Sequence, residues 1–183
     1  MLSPGSVPSG AGRARMARTE MSKAFTKEDG AEQAPLARAA AQGRRLLTRE
    51  GHARCVEELE RLKEKERPAL LADASATNRM RLQQLDARLL ELTRLLEAAE
   101  VVEPGPDGGP ATFGAWVTTE DEDGQRTTVR LVGPDEADPR QGLLSTASPL
   151  GRALLGRRPG DSTVVERPRG PAELKVVAVH SRR

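Results

Sequence analysis

The sequence predicts an α+β protein, in which an antiparallel hairpin of two helices precedes a small antiparallel sheet domain with one short helix. Three features of the 183-residue chain predict this fold. Apolar residues recur at spacings of three and four through 48–100, as in a pair of packed helices. A stretch rich in proline and glycine then interrupts the chain at 103–110. Beyond it, short runs of alternating apolar residues are separated by turn signals, which is typical of strands.

The second arm of the hairpin carries the clearer pattern. Its heptad spacing turns one apolar stripe toward a partner helix, at Leu82, Leu85, Leu89, Leu92, Leu96 and Ala99. The first arm has a poorer stripe at the same spacing, at Cys55, Leu59, Leu62, Glu66 and Ala69. The segment between the arms, 73–78, is small and polar and holds several residues suited to cap a helix. Because this connection is short, the arms are expected to pack as antiparallel neighbours within one chain.

The first arm is predicted to begin at 47–51, where Thr48 suits the N-cap position and Glu50 lies in the first turn. Pro68 disturbs the arm, because proline removes one helical hydrogen bond and clashes with the preceding turn. The four residues after Pro68 nevertheless keep a helical composition. We therefore predict a kink at Pro68 within a continuous arm.

Five strands and one helix are predicted for the sheet domain. Asp123-Gly124 is a hairpin turn signal between the first two strands. The helix is expected at 150–155, with Ser148 as N-cap and Pro149 at the first helical position, where the fixed φ of proline favours a helix start. The strands are expected at 112–119, 126–132, 142–146, 161–167 and 172–181.

These elements divide the chain into a tail (1–46), the helical hairpin (47–102), a linker (103–110) and the sheet domain (111–183). The tail is expected to be unfolded, because it is dominated by glycine, proline, serine, alanine and arginine and has little apolar mass. Within the tail, Met21 is a second plausible start of the protein.

The composition excludes several classes of function. A formal net charge of +2 gives no strong electrostatic case for a nucleic-acid or membrane surface. Aromatic residues make up 2% of the chain, which argues against an aromatic-lined pocket. The single cysteine excludes an intrachain disulfide and a cysteine-based zinc site. The sequence shows no apolar run long enough to span a membrane and no signal peptide, so a cytoplasmic location is expected.

Few residues are candidates for chemistry. His52 and His180 are interpreted as unrelated surface or packing histidines, and Cys55 as a small buried thiol on the apolar stripe. The acidic run 120–123 lacks the ligand spacing of a calcium loop and is interpreted as a solvated hairpin tip. The linker is glycine-rich but lacks the Gly-Lys-Ser/Thr ending of a phosphate-binding loop. No catalytic residue, metal site or cofactor is predicted.

Several longer motifs follow one another in order along the chain. They are LTREG at 47–51, EELERLK at 57–63, ERP at 66–68, FGAWV at 113–117, VGPDEAD at 132–138, SPLGRALLG at 148–156 and PGD at 159–161. Together, over about 47–181, they resemble the GreA/GreB family of transcript-cleavage and elongation factors. The start at Met21 also resembles that of some GreB-type paralogues.

The resemblance implies a coiled-coil finger that enters the secondary channel of bacterial RNA polymerase, and an FKBP-like C-terminal domain that grips the channel rim. It implies that Ser148, Pro149 and Leu150 form this partner contact. Many members of the family have an acidic residue just before the Ser-Pro pair, where this chain has Ala147. Nucleic acid would be met only indirectly, within the transcription complex. The protein is expected to be a monomer with no membrane partner.

The fingertip departs from the family pattern. Cleavage factors of the family carry Asp-x-Ser-Glu-Asn-Ala-Asp/Glu-Tyr there, and these acidic residues help to hold the second catalytic magnesium of the polymerase. Asp73 and Ser75 match the first and third positions, but Ala76 replaces the glutamate, and Arg79 and Met80 replace the later acid and the tyrosine. The stretch between Pro68 and the tip is also shorter than in the family by about three helical turns, or roughly 16 Å. In this respect the chain is similar to the short-fingered Rnk-type regulators, which bind polymerase without cleaving.

The expected function is therefore that of a non-enzymatic regulator that binds RNA polymerase. Two alternatives from other classes stay open. The first is a peptidyl-prolyl isomerase, because the implied fold is FKBP-like, although residues 101–183 offer only Phe113 and Trp116 as aromatic side chains. The second is a coiled-coil adaptor with no polymerase partner, which a pull-down against core polymerase would distinguish.

Overall fold

The computed structural model describes residues 44–73, 75–167 and 170–182 and has an α+β architecture, as predicted. Its two parts are a helical finger and a five-stranded sheet domain. The predicted tail, 1–46, and Met21 with it, lies outside the described residues except for 44–46. Within those three, Arg45 and Leu46 belong to a strand, so the finger begins two residues earlier than predicted.

Two short strands close the base of the finger. Strand β1 comprises Arg45–Leu47 and strand β2 comprises Ala99–Val101, and the two pair in parallel with Leu47 opposite Val101. The N–H of Val102 donates to the carbonyl oxygen of Leu47 at 2.9 Å and extends the pairing. Neither strand was predicted, because three residues are too few to show a periodicity. The chain therefore enters and leaves the finger side by side.

The first arm runs from helix α1 (Arg49–Arg61) through a π-helical turn (Leu62–Glu66) into helix α2 (Arg67–Leu71). The arm is continuous through Pro68, as predicted. Its departure from regular α-helix lies in the turn before the proline, where the N–H of Arg67 donates to the carbonyl oxygen of Leu62, five residues earlier. A wider turn suits this position because Pro68 has no N–H to donate.

The π-helical turn changes which residues of the first arm face the second. Because its hydrogen bonds span five residues instead of four, the face that follows is shifted by about one residue. The apolar cluster of the finger accordingly includes Leu70, whereas Ala69 is exposed. The prediction that Ala69 lies on the apolar stripe is therefore wrong, and the predicted stripe position Glu66 is half-buried.

The second arm is helix α3, which comprises Ala76–Ala98. Its leucine stripe faces the first arm, as predicted, and Leu85 and Leu92 are buried together with Leu62. The half-buried side chains packed against this cluster are Cys55, Leu59, Leu70 and Leu89. Ala99 belongs to β2, so the prediction that it continues the helical stripe is wrong.

Two ion pairs join the arms outside the apolar cluster. The guanidinium of Arg88 donates to both carboxylate oxygens of Glu58, at 2.8 and 3.1 Å, and Nε of Arg67 donates to Asp86 at 2.8 Å. The hydrogen bond from Arg88 lowers the pKa of Glu58 from its ordinary value of 4.5, against the opposing effect of partial burial. These pairs hold the arms in one register.

The elements of the sheet domain are β3 (Trp116–Asp121), β4 (Arg126–Val132), β5 (Leu143–Ser145), helix α4 (Pro149–Leu154), β6 (Ser162–Arg167) and β7 (Gly170–His180). Its five strands lie in the order β5-β4-β3-β7-β6. All neighbouring pairs are antiparallel except β4 and β5, which are parallel, so the prediction of a wholly antiparallel sheet is wrong at this edge. A parallel pair requires a crossover instead of a hairpin, and residues 133–142 make it through two short 3₁₀ turns.

The core of the sheet domain lies between α4 and the sheet. Strand β3 starts at Trp116, four residues later than predicted, because 111–115 form a buried turn whose Gly114 N–H donates to Leu131 at 2.6 Å. The core cluster consists of Ala111, Ala115, Val117, Leu131, Leu154, Leu155, Val176 and Val179. Within the described ranges, no helix is long and apolar enough to cross a membrane.

Candidate functional site

The fingertip is a short polar reversal between Leu71 and Ala76. Its two predicted residues, Asp73 and Ser75, lie together: Oδ1 of Asp73 accepts the N–H of Ser75 at 3.1 Å. Oδ2 of Asp73 accepts the side-chain amide of Asn78 at 2.8 Å, and the Ser75 hydroxyl caps α3 by accepting the N–H of Asn78 at 3.3 Å. Both side chains thus tie the tip together.

The surface around this reversal is apolar and cationic. Leu71 is 54% exposed and Met80 is 66% exposed. Arg79 and Arg81 are exposed and form no ion pair with any residue that the structure describes. Across the described residues, no three histidine, cysteine, aspartate or glutamate side chains converge on a metal site. The tip therefore presents exposed apolar and cationic side chains to solvent.

At the opposite end of the finger, a carboxylate from the sheet domain reaches α1. Glu136 lies in the crossover between β4 and β5, and its side chain is 1% exposed. Its Oε2 accepts the backbone N–H of Thr48 at 2.9 Å, and its Oε1 accepts the Thr48 hydroxyl proton at 2.6 Å. Arg54 adds a longer ion pair with Glu136 at 3.8 Å. The start of the finger and the crossover are thus one polar cluster.

A second ion pair joins the same two regions. Nη2 of Arg130, whose side chain is 10% exposed, donates to Glu50 in the first turn of α1 at 2.8 Å. Its Nε donates to the carbonyl oxygen of Gly114 at 2.9 Å, and the guanidinium lies 5.8 Å from the ring centre of Trp116. The pKa of Glu50 is lowered, because hydrogen bonds from the backbone and from Arg130 outweigh its partial burial, which alone would raise the pKa.

The predicted partner-binding turn forms the start of α4. Ser148 is the N-cap, as predicted: its hydroxyl accepts the N–H of Gly151 at 3.0 Å and donates to the carbonyl oxygen of Ser145 at 2.7 Å. Pro149 is exposed, whereas Leu150 is half-buried against the core of the sheet domain. Of the three predicted residues, Pro149 alone is fully open to a partner.

The remaining candidates are two histidines, one cysteine and the two aromatic residues of the sheet domain. His52 is half-buried on α1, and His180 is exposed at the end of β7. Cys55 is half-buried in the finger, and burial raises the pKa of its thiol, so the thiol is protonated at neutral pH. Phe113 is 5% exposed, and Trp116 lies beneath Arg130, so both aromatic side chains of the sheet domain are engaged in packing.

The acidic hairpin between β3 and β4 uses its carboxylates internally. Oδ1 of Asp121 accepts the N–H groups of Asp123 and Gln125 at 3.1 and 2.9 Å, and Glu120 pairs with Arg126 at 2.7 Å. This agrees with the predicted hairpin tip.

Comparisons with known proteins identify the family. The family model described as the C-terminal domain of the transcription elongation factors GreA/GreB matches residues 106–181. The chain is 37% identical over 153 residues to transcription elongation factor GreA of Verminephrobacter eiseniae. This alignment covers 74% of this chain and 97% of that protein. This chain belongs to the GreA/GreB family of transcription elongation factors.

The chain is also similar to a curated GreB protein and to a solved structure. Transcription elongation factor GreB of Yersinia pestis is 34% identical over 151 residues, with coverage of 74% of this chain and 88% of that protein. Among solved structures, the GreA factor homolog 1 (Gfh1) of Thermus thermophilus is 32% identical, with coverage of 75% of this chain, 99% of that chain and a TM-score of 0.37.

The contacts at the finger base in this GreA/GreB member were not anticipated from the sequence. Neither Glu136 nor Arg130 was singled out, because their partners are 88 and 80 positions away in the chain. One local signal was available. Thr48 is a helix cap, but the third helical residue, which often carries a glutamate after such a cap, is Gly51.

Proposed function

We propose that this chain is a non-enzymatic regulator of transcription elongation that binds bacterial RNA polymerase at its secondary channel without stimulating transcript cleavage. Membership of the GreA/GreB family supports RNA polymerase as the partner. The observation that carries the absence of cleavage is the state of the fingertip. Its one carboxylate, that of Asp73, accepts hydrogen bonds on both of its oxygens.

The chemistry of magnesium explains why this matters. Mg²⁺ requires near-octahedral oxygen ligands and is usually held through carboxylates. The cleavage motif implied by the family resemblance supplies more than one acid, whereas here Ala76 and Arg79 stand at the acidic positions. The cationic Arg79 repels a metal ion, and the hydrogen bonds of Asp73 to Ser75 and Asn78 compete for its lone pairs. Such a tip is suited to filling space in the channel.

The length of the alignment with a relative supports the same proposal. The alignment with the Verminephrobacter relative spans 153 residues but takes in 74% of this chain, about 135 of 183 residues, which leaves roughly 18 positions without a counterpart here. An antiparallel hairpin loses residues from both arms together, and about nine fewer per arm corresponds to between two and three helical turns. We propose that these residues are missing from the finger, so that its tip stops short of the polymerase active site.

The test is cleavage in backtracked elongation complexes supplied with magnesium and the purified protein. RNA cleavage is expected to stay at the intrinsic level of the polymerase, with a GreB relative as the positive control. Stimulated cleavage that Asp73→Ala abolishes would overturn the proposal. The variant Ala76→Glu, Arg79→Glu, Met80→Tyr restores acids and tyrosine to the short finger, and it is expected to remain inactive because reach is also lacking.

We further propose that the FKBP-like sheet domain is the anchor and that it contacts the channel rim around Pro149. Pro149→Glu places a carboxylate at the positive end of α4, which that position tolerates, and changes the open surface. It is expected to weaken binding to core polymerase by about tenfold or more with little change in melting temperature. The comparison variant, Ser148→Ala, removes the cap and costs about 1 kcal/mol of stability while Pro149 stays in place, so it shows how far loss of the cap alone weakens binding.

The two variants separate a contact surface from a helix cap. If binding to core polymerase falls only in a variant that also loses stability, the turn acts only as a helix cap and the polymerase contact lies elsewhere. A pull-down in which the unmodified chain fails to retain core polymerase would overturn the proposed partner itself.

A further inference from the structure

The start of α1 carries half of a capping box. In the complete motif, the N-cap hydroxyl accepts the N–H of the third helical residue, and a glutamate at that third residue accepts the N–H of the N-cap. Thr48 provides the first half, because its Oγ1 accepts the N–H of Gly51 at 3.0 Å. Gly51 is the third helical residue and has no side chain with which to provide the second half.

Glu136 occupies the place of the missing side chain. Its Oε2 accepts the N–H of Thr48 at 2.9 Å, the hydrogen bond that a glutamate at position 51 would otherwise make. A Cβ added to Gly51 would overlap the carboxylate of Glu136, so the lack of a side chain at Gly51 leaves the space that Glu136 occupies. Three residues before Glu136, Gly133 lies against the carbonyl oxygen of Leu46 so closely that an added Cβ would be 2.6 Å from it.

We propose that Glu136 completes the capping box from the sheet domain and is thereby the positioning residue that fixes the direction of the finger; this rests on the proposed function. The carboxylate sits at the positive end of the α1 dipole and receives two hydrogen bonds while buried, which makes both strong. A fixed finger places its tip in the channel without an ordering cost when the protein binds.

A capping glutamate on α1 itself would supply the same hydrogen bond to the helix start and remove the connection that Glu136 makes between the two parts, while the Arg130–Glu50 pair would remain. The double variant Gly51→Glu, Glu136→Ala creates this arrangement, because it moves the carboxylate to the helix and opens the space that its Cβ needs. It restores the cap without the connection. The single variant Glu136→Ala removes both the cap and the connection. Comparison of the two variants therefore separates the stability of the helix from the direction of the finger.

The first measurement uses the free, full-length protein. Spin labels at Met80→Cys on the tip and Thr127→Cys on the exposed part of β4, in a Cys55→Ala background, report the distance between tip and sheet domain. We expect one narrow distance distribution for the background protein and a broad one for Glu136→Ala. In the double variant, about half or more of the lost melting temperature should return, while the distribution stays broad.

A distribution that is narrow in both variants, or that narrows again as the helix cap is restored, would overturn the proposal. If Glu136→Ala alone does not fold, the double variant decides by itself, because its width is compared directly with that of the background protein.

The second measurement is displacement of a GreB relative from core polymerase. A finger that points into the channel a tenth of the time should need about tenfold more protein for the same displacement. We expect this loss in the double variant, despite its restored stability. Displacement equal to that of the unmodified chain would overturn the positioning role. Failure of the unmodified chain to displace the relative would instead overturn the proposed function and leave the spin-label result standing.

Discussion

At the base of the finger, Thr48 caps α1 while it is 1% exposed and in contact with the carboxylate of Glu136. At the tip, Ser75 caps α3 with the same hydrogen-bond pattern, but its side chain lies in solvent and its neighbours belong to the same turn. The two caps are alike in local geometry and differ in their surroundings. Water can replace the bonds at the tip, whereas a buried partner at the base would be left unpaired.

The apolar residues of the finger show the same contrast. Leu92, near the base, is fully buried, whereas Met80, at the tip, is 66% exposed. Stabilisation is roughly proportional to the apolar area that is buried, so the buried cluster of Leu62, Leu85 and Leu92 stabilises the finger more than the exposed tip does. The tip can change without unfolding the protein, which is the property expected of a surface that meets a partner.

The largest expected effect is on the buried leucine. Leu92→Ala should lower the free energy of unfolding by about 2–5 kcal/mol, because it removes buried methyl groups and leaves a cavity. Met80→Ala at the tip, and Leu90→Ala on the exposed side of the same helix, should each change it by less than about 0.5 kcal/mol. Urea unfolding followed by circular dichroism measures all three. Equal losses for Leu92 and Leu90 would show that the arms do not pack through this stripe.

The second prediction compares the two caps. Thr48→Ala should cost about 2–3 kcal/mol, because it removes the cap and takes one partner from the buried carboxylate of Glu136. Ser75→Ala should cost about 0.5–1 kcal/mol, as for an exposed cap. Matched thermal and urea unfolding of the two variants tests this. Similar costs at both ends would mean that burial does not distinguish the caps.

The smallest expected effect concerns the ion pair between Glu58 and Arg88, midway along the finger. The pKa of Glu58 is lower in the folded protein than its ordinary value of 4.5, so the unfolded chain takes up the proton first. The pair therefore stabilises the fold above about pH 4.5, and this contribution is lost as the pH falls through the folded pKa. Both side chains are about a third or more exposed, which limits the contribution to about 0.5–1 kcal/mol.

Glu58→Gln tests this sign. It should lower stability at pH 7 by that amount, and this loss should shrink as the pH falls below 4.5 and the carboxylate of the unmodified chain takes up its proton. The comparison variant is Glu97→Gln, because Glu97 is exposed on α3, the arm that carries Arg88, and forms no ion pair with a described residue. A loss of stability for Glu58→Gln that does not shrink as the pH falls would assign the loss to packing.

The parts of the fold that could be predicted from the sequence are those in which the cause lies close to the effect. The caps of Thr48 and Ser148 were predicted because a capping hydroxyl meets an N–H three residues away. The leucine stripe of α3 was predicted because its spacing matches a helix. The phase shift after the π-helical turn was not, since Pro68 indicates a disturbance without fixing how many residues it absorbs.

The candidate site divides in the same way. Asp73 and Ser75 lie in one short reversal, so their proximity follows directly from their neighbouring positions in the chain. The contact between Glu136 and Thr48 is set by the crossover that brings β5 beside β4 in parallel. Sequence periodicity carries no information on such a crossover, so the base of the finger was recognised only from the structure.

The parallel pairing of β1 and β2 has a consequence for how such proteins diversify. Leu47 lies opposite Val101, so the finger begins and ends at one pair of hydrogen-bonded strands. Helical turns can be removed from or added to both arms between these two residues while the β1–β2 pair and the sheet domain keep their geometry. The length of the finger can therefore vary independently of the domain that holds it.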